Sequence, residues 1–343
     1  MGEEKFTAIV VGAGPAGCAA AYTLAKEGVD VLLVERGPTP GSKNMTGGRI
    51  YTHVLNKVMP EFIKGAPFER EVVKEKLTFV TEKSAGSFEL LSEKFPPSHS
   101  FTVLRQELDS FLAERAEQEG AIVATGILVD DLLRDGQKVV GIKAEADEIF
   151  SDVVIAADGV NSVLAKKLGL RGELSPRHVA VGVKQVILLS EDEINSRFSL
   201  KKGQGAANLL VGRVTKGVRG GGFLYTNRET ISIGLVFTLA DLLEHNLKPG
   251  EILEELKLHP FISPLVEGGK TVEYSAHLVP EGGAHMLPRL YADGVLVAGD
   301  AAGLVLNLGY TVRGMDLAIL SGHAAAKSVL LARQKGDFTS STL

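Results

Sequence analysis

The sequence predicts an α/β protein in which a discontinuous α/β domain is interrupted by a β-rich domain. A buried strand, a Gly-rich turn, a helix and a second strand follow one another over residues 8–35. A similar buried strand returns at 295–298, whereas 178–276 reads mainly as strands. With 343 residues, 45% of them hydrophobic, the chain is long enough for two domains.

The first unit is typical of a Rossmann-like dinucleotide site. Gly12 permits a tight turn, Gly14 lets the backbone approach a pyrophosphate, and Gly17 allows close packing of helix and strand. Glu35, at the end of the second strand, is placed to accept a hydrogen bond from a ribose hydroxyl. The predicted pyrophosphate loop comprises Gly12, Ala13, Gly14, Pro15, Ala16 and Gly17. The alternative is a tight turn that binds nothing.

Composition narrows the class of protein. A net charge of −5 with dispersed basic residues gives no indication of nucleic-acid binding. Cys18 is the only cysteine, which excludes an internal disulfide and a cluster held by four thiolates of this sequence, and favours a reducing compartment. The histidines lack the spacing of metal ligands, so we expect no metal site. Without a signal peptide or an uncharged apolar run of 18 residues, we expect a cytoplasmic protein.

The other elements follow from periodicity and from breaking residues. Apolar Leu108, Phe111 and Leu112 recur at helical spacing in 104–120. We expect helices at 51–59, 104–120, 249–258 and 315–331, a hairpin at 76–81 and 87–91, and strands at 121–125, 127–133, 139–146 and 153–157.

Three segments favour FAD over NAD as the dinucleotide. Asp300, after Gly299 at the end of a strand, can accept a hydrogen bond from a ribityl hydroxyl, a group that NAD lacks. A second strand runs into Asp158 and Gly159, and Arg105 begins a helix from which it can reach the cofactor. Each segment alone could be a turn or a helix cap. Their occurrence together behind the glycine motif predicts FAD.

At these residues the chain resembles the glutathione-reductase-like FAD superfamily, in the branch of aromatic hydroxylases, geranylgeranyl reductases and electron-transfer-flavoprotein:quinone oxidoreductases. The resemblance is greatest to FixC-type flavoproteins. The segments that carry it are 44–53, 180–184, 220–227, 273–283 and 307–318. Members of that family continue beyond the position of residue 343, so a C-terminally truncated member is expected.

The resemblance implies a Rossmann-like FAD-binding domain at 1–75, 98–175 and 285–343, interrupted by a β-rich substrate or quinone domain at 76–97 and 176–284. It also implies roles for individual residues. Glu35 and Arg36 would hold the adenosine, Val129 the adenine, Arg105 the FAD chain and Asp300 the ribityl group, while Gly47, Gly48, Arg313, Gly314 and Met315 would line the isoalloxazine. The N-terminus of helix 315–331 could also stabilise negative charge on the reduced flavin. Arg313 could instead be an exposed charge near the helix cap.

The expected function is electron transfer from an electron-transfer flavoprotein to a quinone, with a ferredoxin-like partner, in a nitrogen-fixation or carnitine-type chain. A single dinucleotide signature gives no second site for a nicotinamide. Electron transfer needs no general acid or base, although Tyr51 and His53 are candidate proton donors. A peripheral contact with the inner face of the membrane stays open. The alternatives are a geranylgeranyl-reductase-like enzyme, an FAD-dependent monooxygenase and a flavoprotein without turnover.

Overall fold

A computed structural model describes residues 5–44, 48–91, 100–309 and 311–343. The predicted site residue Gly47 lies outside these ranges. The strands are β1 Lys5–Val11, β2 Val31–Glu35, β3 Gly48–Tyr51, β4 Phe68–Val80, β5 Ala85–Leu91, β6 Ser100–Val103, β7 Ile122–Thr125, β8 Asp131–Asp135, β9 Lys138–Ala144, β10 Asp147–Ala156, β11 Val179–Leu188, β12 Gln204–Gly212, β13 Gly220–Thr226, β14 Thr230–Thr238, β15 Lys270–Pro280, β16 Tyr291–Ala292, β17 Val295–Val297, β18 Leu306–Asn307 and β19 Val312–Arg313.

The α-helices are α1 Pro15–Lys26, α2 Leu55–Val58, α3 Pro60–Ile63, α4 Arg105–Gln118, α5 Val163–Lys167, α6 Glu191–Phe198, α7 Leu239–His245, α8 Pro249–Lys257, α9 Ser263–Val266 and α10 Met315–Lys335. The helix predicted at 51–59 is wrong. Tyr51 ends β3, and two single-turn helices follow it. They are separate because Met59 has φ −139° and ψ 54°, which breaks the helix before Pro60.

The first sheet has eight strands, with the core order β16-β17-β10-β1-β2-β7. Strands β17, β10, β1, β2 and β7 run parallel to one another, whereas β16 is antiparallel to β17. Parallel strands bring their carboxyl ends to one edge of the sheet, and ligands bind at that edge in open α/β sheets. The acids and glycines at the carboxyl ends of β1, β2, β10 and β17 therefore meet there.

The second sheet has nine strands, in the order β15-β11-β14-β13-β12-β4-β6-β3, with β5 paired to β4. It is antiparallel except where β12 runs parallel to β4. Strands β3 and β6, and the first half of β4, come from segments predicted for the FAD-binding domain. Pairing in the second sheet thus extends into residues before 76 and after 97, because β4 is hydrogen-bonded along its whole length.

Helices α1 and α10 pack closely against each other beside the first sheet. A Cβ atom added to Gly322 would lie 1.9 Å from the carbonyl oxygen of Ala16, so only glycine fits at this crossing. Among the residues that the structure describes, α10 is the one helix whose length and mean hydropathy of 1.2 would suit a membrane span. Its buried side chains pack in the same core cluster as those of α1.

Candidate cofactor site

A cavity of about 880 Å³ is lined by residues of both large sheets. This volume is near the upper end of the range for small-molecule sites, roughly 300–1,000 Å³. The predicted site residues that line it are Gly12, Gly14, Pro15, Ala16, Glu35, Arg36, Gly48, Arg105, Val129, Asp158, Gly159, Gly299, Asp300, Gly314 and Met315. Ala13, Gly17 and Arg313 are not among the lining residues.

The glycine turn between β1 and α1 forms one wall. Gly12 has φ +104°, and a Cβ atom there would lie 2.4 Å from the carbonyl oxygen of Ala157. A Cβ atom on Gly17 would lie 1.9 Å from the carbonyl oxygen of Gly12, so Gly17 serves packing. Gly14 differs, because a Cβ atom added there would have no atom of the described residues within 4 Å. This open space at the N-terminus of α1 fits a pyrophosphate.

Glu35 is fixed by the backbone around it. Its Oε2 atom accepts a hydrogen bond from the Ala13 N–H at 2.9 Å, and its Oε1 atom accepts one from the Gly37 N–H at 2.7 Å. Ala13 therefore supports the site through Glu35. Each carboxylate oxygen keeps acceptor capacity for a ribose hydroxyl.

Arg105 is held by a buried acid one helical turn later. Its Nε and Nη2 atoms donate to the Asp109 carboxylate at 2.8 and 2.7 Å, and Asn44 donates to the same carboxylate at 3.0 Å. Asp109 is fully buried. This bidentate pair fixes the direction of the guanidinium at the cavity wall, where it can bind an anionic or hydroxyl-bearing chain.

Two carboxyl groups at strand ends carry raised pKa values. Burial raises the pKa of Asp300, and the charges of Arg105 and Arg171 oppose the shift. Burial also raises the pKa of Asp158, whose Oδ2 atom accepts a hydrogen bond from the Leu164 N–H at 3.1 Å. The Oδ1 atom of Asp158 is buried and has no partner among the described residues. An unpaired buried acceptor beside a cavity fits a hydroxyl-bearing ligand.

Arg313 is placed differently from the expectation. Its guanidinium pairs with the buried carboxylate of Asp316 and lies 5.3 Å from the centre of the Tyr51 ring. It therefore acts beside the cavity, at the start of α10, rather than on the described wall. Gly314 and Met315 do line the cavity.

The second sheet supplies lining residues that sequence reasoning missed. Phe223 and Tyr225 of β13 line the cavity with ring centroids 5.0 Å apart. His277 of β15 also lines the cavity. Burial lowers the pKa of His277, and Arg105 and Arg36 lower it further. The imidazole is thus neutral at pH 7.

Arg49 is a further missed residue of the cavity wall. It donates to the Glu75 carboxylate at 2.9 Å and to the Ser100 hydroxyl at 3.0 Å, and it stacks over the ring of Tyr51. It thereby ties β3 to β4 and β6. The alternation of side chains along β3 could have indicated it, but the sequence pattern predicts a loop and a helix there.

The cavity has two chemically different halves. Gly12, Gly14 and Glu35 suit the pyrophosphate and adenosine, while Asp300 offers a carboxylate and the second sheet adds apolar and aromatic lining. These donors and acceptors fit FAD. When bound, FAD supplies reversible two-electron chemistry, and the residues of the cavity wall bind and orient it.

Comparison with known proteins agrees with this geometry. The family model described as "FAD binding domain" matches residues 5–196, and the model "ETF-QO, ubiquinone-binding" matches residues 180–279. Together they define an FAD-dependent oxidoreductase.

The curated relatives are more specific. The chain is 51% identical over 345 residues to the probable electron transfer flavoprotein-quinone oxidoreductase YdiS of Escherichia coli K12, covering 100% of this chain and 80% of that protein. It is 52% identical to protein FixC of the same strain, covering 100% of this chain and 81% of that protein. The chain therefore belongs to the FixC family of flavoproteins.

A solved structure shares the fold. A geranylgeranyl bacteriochlorophyll reductase-like protein from Thermoplasma acidophilum superposes with a TM-score of 0.81 at 22% identity, covering 99% of this chain and 82% of that one. At this identity the likeness concerns the fold alone. It agrees with the expected FAD-binding α/β fold interrupted by a β-rich region.

Proposed function

We propose that this protein passes electrons from an electron-transfer flavoprotein, through bound FAD, to a quinone. The observation that carries the proposal is a continuous row of apolar side chains that leads into the FAD cavity. The names of the curated relatives and the match of 180–279 to a ubiquinone-binding model support the same conclusion.

The apolar row crosses neighbouring strands of the second sheet through directly paired residues. Phe88 of β5 pairs with Leu77 of β4, Leu77 pairs with Leu209 of β12, and Leu209 pairs with Phe223 of β13. Directly paired residues share one face of a sheet. Phe88 is 69% exposed, whereas Leu209 and Phe223 line the cavity. The row therefore offers an apolar molecule a path from the surface to FAD.

The nature of the electron donor is inferred from the sequence. The chain has one dinucleotide motif, and its single cysteine cannot form a cluster with four thiolates. We assign the role of donor to a separate electron-transfer flavoprotein and propose a ferredoxin-like partner to carry any iron–sulfur cluster. We propose a nitrogen-fixation or carnitine-type electron-transfer chain as the setting.

A peripheral position at the inner face of the membrane, in the cytoplasm, belongs to the same proposal. Phe79 and Phe88 are 58% and 69% exposed, and Leu90 and Leu91 of β5 are also exposed. A quinone resides in lipid, so an exposed apolar edge at the start of the row would let it enter without crossing water.

The row would also accept an isoprenoid chain, so a geranylgeranyl-reductase-like activity is the second candidate. The shared fold with a reductase-like protein from Thermoplasma acidophilum is compatible with it. A reductase of this kind would reduce a carbon–carbon double bond, whereas a quinone oxidoreductase would reduce the quinone ring.

Anaerobic reoxidation of the reduced protein separates the two candidates. The FAD-loaded protein is reduced photochemically and mixed with a short-chain quinone or with a geranylgeranyl substrate, and flavin absorbance is followed. We expect the quinone to reoxidise the flavin and F223S to slow this step, while L258S, on the opposite side of the sheet, leaves it unchanged. Reoxidation by the geranylgeranyl substrate alone would overturn the proposal.

A further inference from the structure

We propose that Lys184 is the redox-linked proton acceptor of the FAD site, taking up a proton when bound FAD is reduced. This inference needs FAD binding but neither the proposed donor nor the quinone. Lys184 ends the segment 180–184 that carries the family resemblance, but the sequence indicated no role for it.

Lys184 lies in register with the apolar row, two strands beyond Phe223 in the second sheet. It pairs with Gly234 of β14, and Gly234 pairs with Phe223. The same face of the sheet therefore carries Phe88, Leu77, Leu209, Phe223 and then Lys184. Among the described residues, Lys184 is the only cation in this register of directly paired residues.

Packing seals Lys184 from solvent on this face. The side chain is 0% exposed. Gly234 leaves a gap that the Phe223 ring fills, since a Cβ atom on Gly234 would lie 2.4 Å from Cζ of that ring. Phe223 itself lines the cavity, as does His277, whose partner Gly182 lies two residues before Lys184 on β11. Lys184 itself is not a lining residue, but lining residues flank it on the same face of the sheet.

The charge state of Lys184 is sensitive to the cavity. The pKa of Lys184 is lowered to about 7: burial lowers it most, the charge of Glu273 opposes the shift, and the charge of Arg105 adds to it. Arg105 is a wall residue of the cavity. Because a positive charge on the wall is felt at Lys184, negative charge gained by a cofactor in the cavity will be felt with the opposite sign.

Other titratable groups face Lys184 from neighbouring elements. His277 and Glu273 lie on β15, Tyr225 lies on β13 and Arg105 begins α4; the described cavity-facing residues of β14 contribute no ionisable group. Burial lowers the pKa of His277 and raises that of Tyr225, so both are neutral near pH 7. Lys184 is therefore the group of this set that titrates there.

Reduction of bound FAD and protonation of Lys184 are coupled in this proposal. Bound FAD that gained two electrons from its donor and one proton of its own would become more negative by one charge, and the neutral Nζ atom of Lys184 would then take up one further proton from solvent. No bond of the protein breaks. The ammonium then stabilises the reduced cofactor, and oxidation releases the proton.

Potentiometric titration of the FAD-loaded protein between pH 5.5 and 9 tests this proposal. Below pH 7 we expect a higher midpoint potential for the wild type than for K184M, because Lys184 is charged in both redox states. Above pH 7 the wild-type potential should fall more steeply by about 30 mV per pH unit, the value of a tenfold change in a two-electron equilibrium. The two profiles then converge.

Two further variants make the test specific. K74M removes a buried lysine on the opposite face of the sheet, whose Nζ atom donates to the Phe198 carbonyl at 2.8 Å, and should keep the wild-type profile. K184R keeps a permanent charge and should hold the high potential without the extra slope. Profiles of wild type and K184M that coincide, or run parallel at every pH, would overturn the proposal. If K184M loses FAD, K184R with the wild-type slope would overturn it equally.

Discussion

At the scale of single residues, the carboxylate of Glu35 links the glycine turn to the cofactor. It already accepts two backbone hydrogen bonds, so its position does not depend on a ligand. We expect E35A to weaken FAD binding by about 1–3 kcal/mol, the cost of one lost buried partner. Fluorescence titration of the apoprotein with FAD measures this. E119A, at the exposed end of α4, should bind as the wild type does, and equal affinity of E35A would contradict the assigned role.

Replacing Asp300 is expected to change apoprotein stability and FAD affinity in opposite directions. Burial raises its pKa, so the folded apoprotein binds more protons than the unfolded chain above the ordinary aspartate pKa. Its contribution to stability is therefore present at low pH and is lost as pH rises through the raised pKa. D300N should raise the melting temperature of the apoprotein at pH 7 and weaken FAD binding.

The control for Asp300 is D152N, which removes a surface acid paired with Lys5 at 2.6 Å. Thermal denaturation at pH 5 and pH 7 gives the first readout and FAD titration the second. The explanation fails if D300N destabilises the apoprotein at pH 7 as strongly as it weakens FAD binding.

At the scale of elements, two glycines at the turn between β1 and α1 have different roles. Gly14 has φ −81° and open space where a Cβ atom would lie, so G14A should fold normally. Its methyl group would occupy the approach to the pyrophosphate, and FAD affinity should fall about 10-fold to 100-fold. G17A should instead destabilise the apoprotein by about 1–3 kcal/mol through overpacking against Gly12.

Urea unfolding of the apoprotein and FAD titration together check this pair. The interpretation requires that G14A keep the midpoint of unfolding while losing affinity, and that G17A lower the midpoint. If G14A were the less stable variant and bound FAD normally, the pyrophosphate would lie elsewhere.

The hairpin of β4 and β5 is the element that we expect to contact a membrane. Each exposed phenylalanine can contribute about 1.5–3 kcal/mol when it leaves water, so F79S and F88S should each lower vesicle binding roughly tenfold or more. L258S is the matched control, since Leu258 follows α8 and is 79% exposed. Sedimentation with vesicles of bacterial lipids measures the bound fraction. Equal binding of all three variants and wild type would contradict a membrane contact through this hairpin.

At the scale of the whole molecule, the parts predictable from sequence are those set by short-range spacing. The turn at Gly12, the acid Glu35 and the acid Asp300 stand at fixed distances from buried strands, and each lines the cavity. The helix at 191–198 was missed although its capping box, Ser190 with Glu193, is visible in the sequence. Such signals are local and need no knowledge of strand pairing.

The far side of the cavity depends on long-range pairing. Phe223 and His277 line the cavity, and Lys184 shares their face of the sheet, only because β11, β13, β14 and β15 align at fixed registers. A shift of one residue would turn each of these side chains to the other face. Alternation along each strand predicts a face, but not which face meets the cavity.

The central claim is that electrons pass from an electron-transfer flavoprotein through FAD to a quinone. It is tested most directly by anaerobic rapid mixing of the FAD-loaded protein with a reduced electron-transfer flavoprotein and then with a quinone, while flavin absorbance is recorded. NADH and NADPH serve as controls. The account predicts bleaching by the flavoprotein, recovery with the quinone and no bleaching by either nicotinamide. Bleaching by NADH or NADPH, with none by the flavoprotein and no recovery with the quinone, would contradict it.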